Sequence, residues 1–258
     1  MHELWLERES PTCQPGMWSV DAYLASLPAG SRVAIINYVG SLCPITLGHV
    51  ACLVTARSVL IGETPPVGEP FSPGDQNAAC LAAVRFNSDS HVQRKMQAKG
   101  LVSLPATDRR HLGELATADE PWIRYDVRDP RIWARELETQ FPDLHFNVWN
   151  LNGADDVAKY RKWTDACAQR RYITMGRPGY TDKVLDGAKA RGTPSKYFVV
   201  GPELPDISST LAREAIGRGD AAALQAPGLK KSNTDRVDIR YSYPGSFWTV
   251  SKPNVGSK

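Results

Sequence analysis

The 258-residue sequence has few of the features that assign a chain to a specialised class of protein. No stretch approaches the roughly 18 consecutive apolar residues of a transmembrane helix, and the first residues lack the apolar stretch of a secretory signal. The five cysteines are odd in number and scattered without a C-x-x-C pair, and the five histidines do not cluster. This excludes a disulfide framework and argues against a structural zinc site. We therefore expect an intracellular, cytoplasmic protein, with a nuclear location also compatible, and no membrane partner.

Charge of one sign is also scarce, because 31 Lys and Arg against 28 Asp and Glu leave a formal net charge of only +3. Such a charge is too small to indicate a nucleic-acid partner, but it suits an anionic small-molecule substrate. Hydrophobic residues make up 42% and charged residues 23%, as in soluble globular proteins with a substantial core. We expect a globular protein whose oligomeric state, a homo-oligomer included, is left open by its composition.

Short apolar runs alternate with longer amphipathic stretches along the chain. Strands are predicted at residues 32–40, 82–87, 121–127, 144–153, 170–179 and 196–201, and helices at residues 49–62, 106–117, 131–141 and 208–219. This alternation predicts an α/β fold with a doubly wound, mostly parallel, Rossmann-like sheet. Ligands of such sheets bind beyond the carboxyl ends of the strands, near the point where the strand order reverses.

The main domain is predicted to span residues 31–224, after an N-terminal extension at residues 1–30. Residues 62–77 are rich in Pro and Gly and predict a surface loop. Residues 225–258 form a C-terminal tail whose VDIRYSY run is compatible with an edge strand.

The segment GSLCPITLGH, residues 40–49, lies between a predicted strand and a predicted helix. Gly40 and Ser41 let the backbone turn sharply and approach a ligand. The N-terminus of the following helix favours an anion, which His49 in its first turn can also reach. Thr46 can cap the helix. On these residues alone the segment is either a phosphate-binding turn or a plain strand-to-helix loop with a capping threonine.

A second segment, ISSTLAR at residues 207–213, also places polar side chains at a predicted helix start. The hydroxyls of Ser208, Ser209 and Thr210 lie in its first turn. Arg213 follows Thr210 by three residues, so the two share one helix face. Guanidinium groups form forked hydrogen bonds with phosphate oxygens, which predicts triphosphate binding. The alternative is an ordinary helix cap followed by a solvent-exposed arginine.

The two segments together resemble the G-S-F-x-P-x-T-x-x-H and I-S-S-T-x-x-R signatures of nicotinamide-mononucleotide/nicotinate-mononucleotide adenylyltransferases, a family of the nucleotidyltransferase superfamily. Thr46 and His49 match the two defining positions of the first signature. Leu42 stands where phenylalanine is usual. Cys43 stands where asparagine or aspartate is usual, which is expected to remove a polar side chain near the substrate. The resemblance covers residues 32–219, with gaps.

Further elements between the two segments resemble the same family. Gly153 and Asp155 belong to a Gly-Ala-Asp turn like the G-A-D turn that lies against the ribose in the family, although an aspartate at a helix start is common. Arg177 begins an Arg-Pro-Gly element like the family's R-P-G, which implies phosphate contact. An exposed loop arginine is the alternative.

Two tryptophans and two lysines complete the resemblance. Trp122 and Trp163 match regions whose aromatic groups hold the pyridine ring in relatives. Trp122 begins an apolar strand, so a core position is equally open, whereas Trp163 is flanked by basic residues and is expected near the surface or a cleft. Lys95 and Lys99 resemble the family's lysine cluster and are candidates for phosphate contact, with a solvated charge run as the alternative.

The resemblance implies adenylyl transfer from ATP to nicotinamide or nicotinate mononucleotide, with NAD or deamido-NAD and pyrophosphate as products. The implied catalytic residues are His49, Thr46 and Arg213. The implied ATP site consists of Gly40, Ser41, His49, Gly153, Asp155, Ser208, Ser209, Thr210 and Arg213. The implied acceptor site consists of Ser41, Leu42, Lys95, Lys99, Trp122, Trp163 and Arg177.

Mg²⁺ is the implied cofactor, bridging phosphate oxygens and held mostly by ligand and water rather than by a protein metal site. Two alternatives remain open. One is another enzyme of the superfamily, for example one acting on phosphopantetheine. The other is a nucleotide-binding protein without activity.

Overall fold

The computed structural model describes residues 19–72, 74–101, 103–126 and 128–204. Its elements in chain order are α1 (Val20–Ala25), β1 (Arg32–Gly40), α2 (Leu47–Leu60), β2 (Ala79–Phe86), α3 (Asp89–Gln97), α4 (Ala106–Ala116), β3 (Ile123–Tyr125), α5 (Pro130–Gln140), β4 (His145–Gly153), α6 (Ala154–Tyr160), a 3-10 helix (Lys162–Thr164), β5 (Arg171–Gly176), α7 (Thr181–Arg191) and β6 (Phe198–Glu203). None of these helices is long and apolar enough to cross a membrane.

The six strands form one parallel sheet in the order β3-β2-β1-β4-β5-β6. The chain builds one half of the sheet outward from β1 and then returns to build the other half outward from β4. The strand order therefore reverses between β1 and β4, and their carboxyl ends form the switch point of the sheet. The predicted doubly wound, Rossmann-like α/β fold is confirmed.

Helices cover both faces of the sheet. Ile173 and Val199 belong to the main core together with the buried side chains of α2. Tyr172 and Phe198, their neighbours in sequence, pack in a second cluster with Val184 of α7 and with buried residues of α6. Because side chains alternate along a strand, α2 lies on one face and α6 and α7 lie on the other.

The predicted strands all exist, with ends that differ from the observed ones by at most three residues. The predicted helices at residues 49–62, 106–117 and 131–141 correspond to α2, α4 and α5. Helices α1, α3, α6 and α7 were not predicted. In α3 only Val92 and Met96 are buried, so a nine-residue helix carries too few apolar positions to show a period. The predicted helix at residues 208–219 and the tail lie outside the described residues.

The predicted surface loop lacks regular secondary structure, whereas part of the predicted N-terminal extension is helical. The described part of the predicted surface loop, residues 62–72 and 74–77, contains neither helix nor strand, as predicted. In the predicted N-terminal extension, residues 20–25 form α1, and its Leu24 is 1% exposed within the main core. The end of the extension is therefore part of the folded domain.

Tyr125, at the end of β3, predicts a loss of stability at alkaline pH. It is 8% exposed, its hydroxyl lies 3.2 Å from Thr117 Oγ1, and burial raises its pKa to about 12. In the unfolded chain a tyrosine titrates near pH 10, so between about pH 10 and about pH 12 the unfolded state binds fewer protons than the folded state. The free energy of unfolding therefore falls as pH rises through this window. Tyr125→Phe should remove part of the fall in urea-unfolding measurements.

The matched control is Tyr160→Phe, because Tyr160 is 60% exposed. That variant should keep the pH dependence of the wild type. Equal slopes in Tyr125→Phe and the wild type would contradict the expected contribution of the buried phenol.

Candidate active site

The loop between β1 and α2 is held by buried side chains. Leu42 has a φ of +41°, a left-handed conformation that is costly for a residue other than glycine. Its side chain is 4% exposed in the main core. Cys43 packs with Val92 and Met96 of α3, and its Sγ accepts a hydrogen bond from the Leu104 backbone at 3.3 Å. The backbone of the loop is therefore fixed from both sides of the turn.

The position of Cys43 corrects one expectation. A polar residue at this position was expected to lie near the substrate, but Cys43 is 2% exposed and lies in an apolar cluster. Its thiol packs the loop against α3. The expected effect of Cys43 on a contact with a ligand stays a prediction.

Thr46 and His49 are brought together at the start of α2. Thr46 is the N-cap residue, and Nδ1 of His49 lies 2.9 Å from both the backbone nitrogen and the Oγ1 of Thr46. Because Nδ1 accepts the backbone N–H, this hydrogen-bond pattern assigns the proton of a neutral imidazole to Nε2. The Tyr38 ring of β1 packs beside the imidazole, with 6.3 Å between ring centroids. His49 is thus oriented as a donor through Nε2, which suits an anionic acceptor.

Ser41 is contacted from three other elements of the domain. Its Oγ lies 3.4 Å from Lys95 Nζ in α3 and 3.5 Å from Asn87 Nδ2, just after β2. Its carbonyl oxygen accepts a hydrogen bond of 2.8 Å from Nη1 of Arg109 in α4. Lys95 therefore lies at the loop, and its expected contact with phosphate stays a prediction. Lys99 is exposed in the turn after α3, and no hydrogen bond among the described residues joins its ammonium group to the loop.

The turn after β4 places Asp155 opposite Arg177. Gly153 is the N-cap of α6, and a Cβ at this position would lie 2.7 Å from Asp155 Oδ1, so the carboxylate folds over the glycine. Asp155 Oδ2 lies 2.8 Å from Arg177 Nη1, with both side chains a little over 40% exposed. The two residues expected to contact a nucleotide therefore pair with each other.

The turn after β5 directs Arg177 toward β1. Its backbone nitrogen donates to Thr181 Oγ1 at 2.9 Å, and that hydroxyl donates to Glu203 Oε1 at 2.6 Å. Burial raises the pKa of Tyr38 well above its usual value and the pKa of Cys52 to about 12, while the positive charge of Arg177 acts in the opposite direction on both. The charge of Arg177 thus acts on side chains of β1 and α2, and the carboxyl ends of β1, β4 and β5 lie side by side at one edge of the sheet.

Solvent reaches these carboxyl ends of the strands, an edge that is called the crevice below. Val39 of β1 is 45% exposed, although β1 is a central strand and parallel sheets are normally covered on both faces. Val39 and Tyr38 are neighbours on the strand, so Val39 lies on the face opposite α2. Asn150 and Asn152 of β4 are also partly exposed. The switch point is therefore open to solvent where the loop residues meet.

Trp122 does not lie at this edge, which corrects the expectation that it holds a ring there. It precedes β3, and its carbonyl accepts from Ala82, four residues before the end of β2. Its indole donates to Glu120 at 2.6 Å and lies under Arg57, in the last turn of α2. At about 1.5 Å per residue this is far from His49 in the first turn. Trp122 is 7% exposed, between cavities of about 420 and 280 Å³, so it is a core residue.

Trp163 is buried, contrary to its expected position near the surface or a cleft. It is 6% exposed in the 3-10 helix after α6. A Cβ at Gly187 of α7 would lie 2.4 Å from its ring, so the glycine leaves the space that the indole occupies. Thr193 Oγ1 also donates to its carbonyl at 3.0 Å. The ring packs α6 against α7 and is not an accessible stacking surface.

The second predicted motif cannot be placed in this site. Strand β6 ends at Glu203, and Ser208, Ser209, Thr210 and Arg213 follow it in the chain but lie outside the described residues. Their proposed contacts with the triphosphate stay predictions.

Three residues that contact the site loops were missed from the sequence, namely Tyr38, Asn87 and Arg109. Tyr38 is hidden within an apolar strand, and Asn87 follows an apolar strand without any motif. Arg109 and Gly113 are the buried residues of α4. Arg109 and Gly113 are four residues apart and so share one helix face, and this spacing was a weak sequence signal that the face is buried.

In comparisons with known proteins, no family model and no curated protein matches the chain.

Proposed function

We propose that the protein transfers an adenylyl group from ATP to a phosphate-bearing acceptor in the crevice between β1 and β4. The observation that best supports this is that Ser41, His49, Asp155 and Arg177 all follow the carboxyl ends of β1, β4 and β5, at the edge of the sheet where the strand order reverses. Nucleotides bind to parallel α/β sheets at this point. A donor histidine, a helix N-terminus and two nearby cationic side chains match the charge of a nucleotide phosphate.

The reaction requires no nucleophile from the protein. An oxygen of the acceptor phosphate attacks the α-phosphorus of ATP, and the bond to the bridging oxygen breaks as pyrophosphate leaves. Cys43 is buried and has no covalent role in this scheme. The N-terminus of α2 and Nε2 of His49 would donate to the α-phosphate oxygens, while Lys95 and Arg177 would supply positive charge. Catalysis then rests on positioning and on charge stabilisation.

Mg²⁺ would accompany ATP in this scheme. No group of three His, Cys, Asp or Glu side chains in the described part of the chain could hold a metal ion. At the turn after β4, Asp155 is paired with Arg177 and Asp156 with Lys162. These residues fit an ion that is held by phosphate oxygens and water, as Mg²⁺ commonly is. When bound, the ion neutralises charge on the phosphates.

A pyridine mononucleotide is the first candidate for the acceptor. The resemblance of the 40–49 segment, of the turn at Gly153 and Asp155 and of the Arg177 element supports this choice. One observation favours a second candidate, another phosphate acceptor such as phosphopantetheine. Trp122 and Trp163, the aromatic residues expected to hold the pyridine ring, are both buried outside the crevice.

A pyrophosphate-release assay with one acceptor at a time tests the proposal. The full chain is supplied with ATP, Mg²⁺ and nicotinamide mononucleotide, nicotinate mononucleotide or phosphopantetheine. We expect release with at least one pyridine mononucleotide, together with the matching dinucleotide product. Release with phosphopantetheine alone would establish the second candidate. ATP binding by calorimetry without release from any acceptor would reject adenylyl transfer and leave a nucleotide-binding protein without activity.

A further inference from the structure

Arg109 in α4 is a fully buried charged residue, with a relative exposure of 0%. A buried guanidinium destabilises a protein unless hydrogen bonds and an opposite charge compensate for its lost hydration. Its partners therefore indicate which part of the fold depends on it.

Each nitrogen of the guanidinium has a partner in the surrounding loops. Nε donates to the carbonyl of Leu104 at 3.1 Å, and Nη1 donates to that of Ser41 at 2.8 Å. Nη2 donates to the carbonyl of Asn87 at 3.0 Å and to Asp89 Oδ1 at 2.6 Å. The group also lies over the Phe86 ring, 5.3 Å from its centroid. Three of the four acceptors are main-chain carbonyls, so the side chain fixes backbone.

Two of those carbonyls lie within or beside the site loop. Ser41 is within the loop, and Asn87 follows the adjacent strand β2. The backbone nitrogen of Asn87 donates to the carbonyl of Gly40 at 2.9 Å, and its Nδ2 lies 3.5 Å from Ser41 Oγ. One arginine therefore fixes the chain on both sides of the Ser41 hydroxyl, and Lys95 Nζ approaches that same hydroxyl.

The hydrogen bond to the Ser41 carbonyl also restrains the left-handed backbone at Leu42. The carbonyl of Ser41 belongs to the peptide group that joins it to Leu42, and the orientation of this group helps to set the φ of Leu42. That φ is +41°, a conformation that persists only when its surroundings determine it. The Nη1 hydrogen bond holds this peptide group in place.

We propose that Arg109 is a positioning residue of the active site. It orients the peptide between Ser41 and Leu42, and thereby places the Ser41 hydroxyl and the Lys95 ammonium to receive the phosphate of the acceptor. The inference rests on the proposed adenylyl transfer. Arg109 itself does not contact substrate and acts through the Ser41 peptide and, beyond it, Lys95.

Arg109→Lys tests the role because lysine keeps the charge but cannot form the forked set of hydrogen bonds. We expect kcat/KM for the acceptor to fall about ten- to hundredfold, since small misplacements of reacting groups have effects of this size. Calorimetry should still detect ATP binding, because His49 at the start of α2 keeps its own hydrogen bond to Thr46. A purely structural role would lower the thermal midpoint and leave the kinetics of the folded protein unchanged.

Arg110→Lys is the matched control, the same substitution one residue away. Arg110 is about half exposed, pairs with Glu114 at 3.2 Å and donates to the carbonyl of Tyr125, away from the site loop, so its variant should keep wild-type kinetics. If Arg109→Lys does not fold, Phe86→Leu removes the ring beneath the guanidinium but none of its hydrogen bonds. That variant should raise the acceptor KM severalfold.

The outcomes separate the two proposals. An active wild type with unchanged acceptor kinetics in Arg109→Lys, or in Phe86→Leu where that variant is used, would overturn the role of Arg109 alone. A wild type that is inactive with every acceptor would overturn the proposed function together with this role.

Discussion

Replacement of His49 by alanine is expected to reduce the turnover of adenylyl transfer by about 10²–10³-fold, the effect of removing one well-placed donor from an anionic transition state. The imidazole accepts from the Thr46 backbone through Nδ1, which leaves Nε2 as the donor toward a phosphate oxygen. The change should appear mainly in kcat, measured by pyrophosphate release, with ATP still bound in calorimetry.

A second variant separates this chemical role from the structural role of the same ring. His49 also closes the hydrogen-bonded start of α2, so alanine costs about 1 kcal/mol of helix capping. His49→Gln provides an oxygen that can accept the same Thr46 N–H, as glutamine does in a capping box. We expect His49→Gln to restore the unfolding free energy but not the turnover. Near-normal turnover in that variant would rule out a specific role for the imidazole.

Replacement of Trp149 by alanine is expected to lower the free energy of unfolding by about 3–5 kcal/mol. Trp149 is 2% exposed in the middle of β4, opposite Ile36 of β1. Its ring meets Phe71 edge to face, with 5.9 Å between centroids. The side chain therefore joins the central strands to the loop at residues 62–77, and alanine would leave a large cavity. Urea unfolding at neutral pH measures the loss.

Trp149→Phe is the informative partner of this variant. The indole Nε1 is buried without a hydrogen-bond partner among the described residues. An unsatisfied buried donor costs about 1–3 kcal/mol, and phenylalanine lacks it. This gain offsets much of the lost ring contact, so we expect the variant to remain within about 1.5 kcal/mol of the wild type. A loss as large as that of alanine would show that ring volume dominates at this position.

Local sequence patterns were sufficient where the interacting groups are close in the chain. Thr46 and His49 are three residues apart, so helix geometry alone brings them together. Strands β1 and β2 contain long apolar runs because most of their residues are buried, and such runs are visible without any knowledge of partners. The class of fold and the loop at the switch point follow from features of this kind.

Features that depend on distant packing were not predictable in the same way. Arg109 contacts Ser41 across 68 residues, and nothing near either residue specifies the pairing. The burial of Trp163 depends on the space left by Gly187 in another helix. Trp122 was assigned to the site because of its neighbours in sequence. It precedes β3, however, and so lies at the amino ends of the strands, opposite the edge that carries the site. In each case tertiary geometry, rather than residue type, decides what the side chain contacts.

The ion pair between Asp155 and Arg177 has a consequence for how two substrates would bind together. In the proposed reaction, a sugar hydroxyl that replaces Arg177 at Asp155 separates the pair, and a phosphate that replaces Asp155 at Arg177 does the same. The ion pair is separated when the first group binds, so the second group binds to a side chain that has already left the pair. For two groups that each separate the pair, binding would be thermodynamically coupled, and each would raise the affinity for the other. Both side chains are more than 40% exposed, which limits the coupling to at most about 1 kcal/mol.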